Sequence, residues 1–344
     1  MPNLLARPPE TRLLNVVTEQ NGSNPKLVFA ADLGGTHLRG ALVDERGKIH
    51  VQLKHETPQG DSPDYVVDAL VDAASECERR LGTDHINASS ILVPGTLDPK
   101  AEIVLQAPNL KSLNHFALKA ALEAKFRLPV LLENDANAAA VGEMWLGAAR
   151  GARNIICITL GTGVGGGIIL DGKLWRGTDG CAGEIGHTTV DPFGGPKCKC
   201  GNFGCLEMYA SATAMVRMTR EDLDRFPNSI LQGQSLTAKT IYDAGKAGDE
   251  LALEAFRKVG DYLGVGLANL INLLGPEVIV IGGGVANAWD LFEGHMLEQI
   301  RSRAFPSLSQ HVKIKPAECG DNAGLLGAAQ LAFTNRGLNQ SLLP

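Results

Sequence analysis

Residues 27–44 read LVFAADLGGTHLRGALVD, and their pattern decides the fold. An apolar run from Leu27 to Leu33 ends in a Gly34-Gly35-Thr36 turn, and Gly40 to Asp44 forms a second run. That spacing predicts a β-hairpin with a glycine-rich connection. The pattern returns at residues 154–171, NIICITLGTGVGGGIILD, with Asn154 to Leu160 as a strand, Gly161-Thr162-Gly163 as the turn, and Gly167 to Leu170 as a strand ending at Asp171. Leu33 and Leu160 stand 127 residues apart, as do Asp44 and Asp171. An internal duplication is the simplest account. Two unrelated hairpins with like turn chemistry are the alternative.

Outward from the first hairpin, Ile49, Val51 and Leu53 alternate with polar residues and predict a third strand. Ser62 as N-cap and Pro63 at the first helical position open a helix that Gly82 closes. Strands are expected at Ile91 to Val93, Glu102 to Gln106 and Val130 to Leu132, with a helix from about Asn114 to Phe126 before the last. The second half adds a helix from Ala138 to Leu146, long helical stretches around Asp249 to Leu274, and a buried strand, Glu277 to Ile281, closed by Gly282-Gly283-Gly284. A last strand near Val312 to Ile314 precedes a helix from Asn322.

With 344 residues, two lobes are expected. The small α/β lobe would be residues 27–133 plus about 322–335, and the large one residues 134–321. Met1 to Lys26, with four prolines, reads as a flexible extension without the apolar segment of a signal peptide. No run approaches the roughly 20 apolar residues of a membrane span. The net charge of −6 gives no electrostatic reason to expect nucleic acid. An acidic protein can still hold a polyanion such as ATP through backbone N–H groups and a divalent metal. Seven cysteines, three of them clustered, suit a reducing, cytoplasmic compartment and a metal site better than a disulfide framework.

Three glycine clusters follow apolar strands: Asp32-Leu33-Gly34-Gly35-Thr36, Leu160-Gly161-Thr162-Gly163, and Ile281-Gly282-Gly283-Gly284. Only glycine lets backbone amides close on a phosphate without a Cβ in the way. Thr36 and Thr162 add hydroxyl donors, and Asp32 can orient a metal's water shell. Together the clusters favour a nucleotide cleft between lobes. Two formal motif matches fail on context. Gly161 to Gly166 fits a dinucleotide fingerprint, which must open a helix, but a strand follows. Gly167 to Lys173 fits most of a P-loop, yet Leu174 stands where Ser or Thr must hold magnesium.

Gly186-His187 is followed by Cys198-Lys199-Cys200-Gly201-Asn202-Phe203-Gly204-Cys205-Leu206-Glu207. One His and three thiolates, His187, Cys198, Cys200 and Cys205, make the four-ligand set of a structural zinc. Glu184 and Glu207 flank these ligands, so the loop would fix two carboxylates able to accept the hydroxyl protons of a polyol. In Glu133-Asn134-Asp135-Ala136-Asn137, Asp135 reads equally as the N-cap of the following helix or as the general base of a phosphoryl transfer.

Together these segments resemble the ROK family of bacterial sugar kinases and repressors, within the sugar kinase, Hsp70 and actin superfamily. The resemblance rests on Asp32 to Thr36, Pro94-Gly95 with Asp98, Pro108-Asn109-Leu110, Glu133 to Ala139, Leu160 to Gly165, Gly183 to His187, the Cys-x-Cys-Gly-x-x-Gly-Cys-x-Glu signature and Ile281 to Gly284, in order from Leu27 to about Phe333. It implies an actin-like ATPase fold, two lobes with duplicated mixed-sheet cores around a nucleotide cleft. It implies ATP with Mg2+ as donor and a neutral hexose, glucose foremost, as acceptor at its 6-hydroxyl. Asp135 becomes the base, and Asn109, Asn134, Asp135, Glu184, His187 and Glu207 the sugar contacts, with His187 also serving zinc. The turns Asp32, Gly34, Gly35, Thr36 and Gly161, Thr162, Gly163 would hold phosphates, and Gly283 and Gly284 would lie near the adenosine. A homodimer through the large lobe is a further implication. Lys111 to Asn114 departs from the Gly-Trp pair common in the family, which bears on the sugar rim. A kinase for another hexose, such as mannose, fructose, allose or an N-acetylated sugar, shares every motif. A sugar-responsive repressor would need a winged helix-turn-helix ahead of Asp32, for which Met1 to Lys26 is too short. The six sugar contacts include no Lys or Arg, which favours an uncharged sugar.

Overall fold

In a computed structural model that describes residues 25–98 and 100–335, β1 (Leu27–Leu33) and β2 (His37–Asp44) form the expected hairpin, Leu27 opposite Asp44 and Leu33 opposite Leu38. The Met1 to Lys26 extension, apart from its last two residues, lies outside the described part. β3 (Ile49–Glu56) pairs antiparallel with β2, and α1 (Asp64–Leu81) follows. β4 (Ala88–Val93) joins β1 in parallel. A small hairpin of β5 (Thr96–Leu97) and β6 (Val104–Gln106), then α2 (Leu118–Phe126), lead to β7 (Val130–Asn134), parallel to β4. α3 (Asp135–Trp145) crosses to the second sheet.

That sheet repeats the plan. β8 (Ile155–Leu160) and β9 (Val164–Leu170) pair antiparallel, and β10 (Lys173–Leu174) adds to β9. After α4 (Glu207–Ala210), α5 (Ala212–Asp222), α6 (Ala238–Lys246) and α7 (Glu250–Leu274), β11 (Val278–Gly282) joins β8 in parallel. α8 (Trp289–Arg303) and α9 (Pro306–Ser309) lead to β12 (Lys313–Pro316), parallel to β11, and α10 (Ala323–Thr334) ends the described chain. The strand orders are β3-β2-β1-β4-β7 and β10-β9-β8-β11-β12, with the same sequence of antiparallel and parallel neighbours. Two unrelated hairpins would not carry the match out to the fourth and fifth strands, so the duplication stands.

Local boundaries move for physical reasons. Pro63, not Ser62, is the N-cap of α1, and Ser62 Oγ accepts only the Asp64 N–H at 3.2 Å. His115 holds a left-handed φ of 59° after a 3-10 turn at Lys111–Leu113, so α2 starts at Leu118 rather than Asn114. β9 starts at Val164, three residues before Gly167, and its glycines serve packing. A Cβ on Gly165 would come within 2.9 Å of the Ala136 Cβ, and one on Gly167 within 2.8 Å of the Ala136 carbonyl. α3 therefore lies directly on the second sheet.

α3 also meets α10, which packs on β1 and β4, so the pair joins the two sheets. The backbones touch: a Cβ on Gly142 would meet the Ala323 carbonyl at 2.1 Å, and one on Gly327 the Ala138 carbonyl at 1.7 Å. At the end of α3 the fully buried Glu143 accepts N–H bonds from Ala148 at 2.8 Å, Glu318 at 3.1 Å and Cys319 at 2.8 Å. It ties α3 to the segment entering α10. Glu143→Gln turns an acceptor-only group toward those amides with an N–H2 in one position. A loss of about 2 kcal/mol is expected from the disturbed charge-assisted bonds. Denaturant melts of the two proteins check it, and an unchanged midpoint would refute it.

Candidate active site and metal cluster

β7 delivers Asn134 and Asp135 to the point where strand becomes helix. Asn134, not Asp135, is the N-cap of α3: its Oδ1 accepts the N–H groups of Ala136 at 2.9 Å and Asn137 at 3.2 Å. Its amide also donates to the Gly95 carbonyl at 3.2 Å. Asp135 is thereby released from the capping role that the sequence left open.

Asn134, Asp135 and Glu184 line one cavity, with Gly95 and Thr96 on one wall and Asn137, Gly165 and Gly166 on another. Asp135 is solvent-exposed as a residue on the side that opens to this cavity, while neighbouring protein atoms crowd its carboxyl. Burial, then the negative charges of Asp32 and Glu184, push its pKa up to about 6, against a backbone N–H from Ala136 that favours the ionised form. A carboxylate so tuned is mostly ionised at neutral pH yet basic enough to take a hydroxyl proton.

Arg176 also lines this cavity, which corrects the expectation of a pocket without Lys or Arg. Its Nε and Nη2 donate to Oε2 of the buried Glu133 at 2.8 and 2.5 Å. Glu133 Oε1 accepts from Asn137 Nδ2 and from the Asn134 N–H, both at 3.0 Å. The cation is thus matched within the wall, and the preference for an uncharged ligand survives on different grounds.

The glycine turns offer backbone donors. Among the described residues, the amides of Gly35, Thr36, Thr162 and Gly163 make no hydrogen bond within the protein, whereas those of Gly34 and Gly161 bond to the His37 and Gly163 carbonyls, both at 2.9 Å. Paired free amides at a strand-to-strand turn are an anion seat. Gly161, Thr162 and Gly284 line a second cleft of about 460 Å³ with Ala212, Met215, Tyr242 and Val285. It brings the second and third turns together beside apolar walls that suit a nucleoside. Gly283 has a φ of 86° and lies against the backbone of Leu160, where no side chain fits. Asp32 Oδ2 accepts from Arg39 Nε and Nη2, and among the described residues Oδ1 takes no hydrogen bond.

His187, Cys198, Cys200 and Cys205 place their ligand atoms within 4.8 Å of one another. His187 Nδ1 lies 3.5 Å from Cys198 Sγ, and Cys200 Sγ lies 3.7 Å from Cys205 Sγ. Those are the edge lengths of a tetrahedron with metal–sulfur bonds of about 2.3 Å and a metal–nitrogen bond of about 2.0 Å. The donor set fits a zinc-type ion. The other ring nitrogen of His187, Nε2, lies 3.8 Å from Glu184 Oε2, so the residue faces both the cluster and the cavity's Glu184.

Not every expected sugar contact enters that cavity. Asn109 abuts the first turn, its Cβ 2.7 Å from where a Gly35 Cβ would stand. Glu207 opens α4 and accepts the Val164 N–H at 3.0 Å. Arg176 and its pairing with Glu133 escaped the sequence reading because 43 residues separate them and nothing local marks an ion pair.

Anion seats at duplicated strand turns, with a tuned carboxylate near enough to feel Asp32, define a phosphotransferase of the actin-like ATPase fold. Residues 28–335 match the ROK family. The glucokinase of Halalkalibacterium halodurans is 38% identical over 310 residues, covering 87% of this chain and 93% of that protein. The xylose repressor of Bacillus spizizenii is 33% identical, covering 88% of this chain and 76% of that protein. The crystal structure of a ROK family glucokinase from Streptomyces griseus in complex with glucose and AMPPNP is 37% identical with a TM-score of 0.77, covering 90% of this chain and all of that one. The chain belongs to the ROK family.

Proposed function

We propose that this chain transfers the terminal phosphoryl group of ATP to the 6-hydroxyl of glucose. The observation that carries it is Asp135: set free by the Asn134 cap, raised to about 6, and lining the cavity with Asn134 and Glu184. The likeness to glucokinases over nearly their whole length supports the same reading. In it, Asn134 and Glu184 orient the hexose, joined by Asn109, His187 and Glu207 as the lobes close, and Asp135 takes the proton of the attacking hydroxyl. The amides of Gly35, Thr36, Thr162 and Gly163 hold the phosphates, and Gly283 and Gly284 border the adenosine. Magnesium bound with ATP would offset phosphate charge, its waters ordered by Asp32. Zinc on His187, Cys198, Cys200 and Cys205 would hold the loop that carries Glu207. The lobes are residues 27–133 with 322–335 and residues 134–321, and a homodimer is the expected assembly.

A panel of hexoses with ATP tests the assignment. A site of hydroxyl-reading groups penalises a wrong epimer because buried polar groups lose partners. Glucose should give the highest kcat/KM, with mannose and N-acetylglucosamine at least about tenfold lower. A better rate with N-acetylmannosamine, fructose or allose would keep the kinase and overturn glucose. No turnover of any hexose would overturn both.

A further inference from the structure

The segment leaving the metal cluster runs back along the second glycine turn and takes hold of it. Glu207, two residues beyond Cys205, accepts the Val164 N–H at 3.0 Å, and its Oε2 stands 2.3 Å from where a Gly163 Cβ would be. The Ala212 N–H donates to the Gly161 carbonyl at 2.8 Å. The Thr213 hydroxyl donates to the Thr162 carbonyl at 2.8 Å. With the Gly163 carbonyl accepting from Gly161, every carbonyl of the turn is bound. A peptide whose carbonyl is tied back has its neighbouring N–H aimed the other way. That leaves the amides of Thr162 and Gly163 without partners among the described residues and available to an anion.

The duplicated half solves the same problem with different chain. At the first turn the Thr57 hydroxyl donates to the Gly34 carbonyl at 2.7 Å, Gln59 Nε2 to the Gly35 carbonyl at 2.9 Å, and the Thr57 N–H to the Thr36 carbonyl at 2.9 Å. There the anchors come from just past β3, within the same sheet. In the second half they come from the stretch Glu207 to Thr213, which directly follows Cys205, the last side chain of the cluster. Leu206 links the two: it is fully buried, and its N–H donates to the Thr188 carbonyl beside His187 at 2.9 Å.

We infer that Glu207, Ala212 and Thr213 form a clamp through which the metal cluster orders the phosphate-binding turn Gly161–Val164. The cluster then serves the nucleotide side of the reaction as well as the sugar side. Thr213 is a positioning residue: it touches no substrate in this scheme and acts through the Thr162 peptide. The inference rests on the phosphotransfer reading and assigns it a control point that a purely sugar-side role for the loop lacks.

The clean variant is Thr213→Val, on an exposed side chain that keeps its shape and loses only the donor. Calorimetry with a non-hydrolysable ATP analogue should show affinity reduced about threefold to tenfold, the effect of one ordinary hydrogen bond. Glucose affinity should stay within about twofold, and Thr213→Ser should restore nucleotide binding. Amide exchange across residues 161–164 should quicken in Thr213→Val and in wild type stripped of metal by a chelator. Unchanged analogue affinity in Thr213→Val, or equal losses for analogue and glucose, would remove the clamp while leaving the kinase. If wild type binds no analogue, the phosphotransfer reading falls and takes the clamp with it.

Discussion

Asp135→Asn should lower kcat by about a hundredfold or more while glucose affinity stays near wild type. Asparagine keeps the volume and the hydrogen-bonding oxygen of aspartate but cannot accept the proton from an attacking hydroxyl. The helix should not suffer, because the cap on α3 is Asn134. The pH profile gives a second readout. With a pKa of about 6, wild-type kcat should rise with pH and level off above neutrality, and at pH 5 it should be about tenfold below the plateau. The residual activity of Asp135→Asn should lack that limb. Stability moves oppositely. The folded pKa lies above the usual carboxylate value, so the aspartate's contribution is fully present at pH values below that usual value and is lost as pH rises through about 6. Asp135→Asn should therefore equal wild type in thermal stability near pH 4 and exceed it at pH 7. Near-wild-type turnover in the variant would end the base assignment.

How much of this was legible in the sequence depends on the range of the interaction. The glycine turns and the cysteine spacing are local, and the hairpins and the metal cluster follow from them. The offset of 127 residues announced the repeated sheet. The choice between Asn134 and Asp135 as cap was not legible, since both residue types cap helices well and only the fold shows whose oxygen reaches Ala136 and Asn137. The early start of β9 was hidden by Gly165 to Gly167, poor strand formers whose reason is the helix lying on them. Arg176 against Glu133, and Glu207 on Val164, join residues 43 positions apart and depend on tertiary placement. Glu207 was singled out as a carboxylate that the metal loop would fix, and in the structure the Val164 N–H holds it at 3.0 Å. Its observed partner, a backbone amide of the phosphate turn, is a role its flanking residues do not encode.

Removing the metal should cost the fold about 3 kcal/mol or more, because the hydrogen bonds that hold residues 188–205 are few for the segment's length and its side chains bury little apolar surface. The loop does not bury its aromatic residues: Phe193 is 99% exposed and Phe203 54%. Its order comes from backbone contacts such as Cys198 N–H to the Asn202 carbonyl at 2.8 Å, Gly204 N–H to the Pro196 carbonyl at 3.0 Å and Val190 N–H to the Gly204 carbonyl at 2.8 Å, with side-chain bonds from Asn202 to Thr189 at 3.0 Å and from the Tyr209 hydroxyl to Asp191 at 2.7 Å. Such bonds replace bonds to water and contribute about 1 kcal/mol each, too little to fix a segment of this length against its chain entropy. Convergence of one imidazole and three sulfurs supplies the difference when an ion links them. Cys200→Ser separates this from packing, since Cys200 is exposed while Cys198 and Cys205 are buried, and its replacement leaves no cavity. Elemental analysis should give one zinc per wild-type chain and well under one in the variant. The melting temperature should fall by roughly 6–12 °C, the shift that about 3 kcal/mol produces in a domain of 150–250 residues. A chelator should lower wild type toward the variant and leave the variant little changed. Wild type purified without chelator and found free of zinc, or Cys200→Ser with full zinc content and unaltered melting, would show that the four side chains converge for another reason.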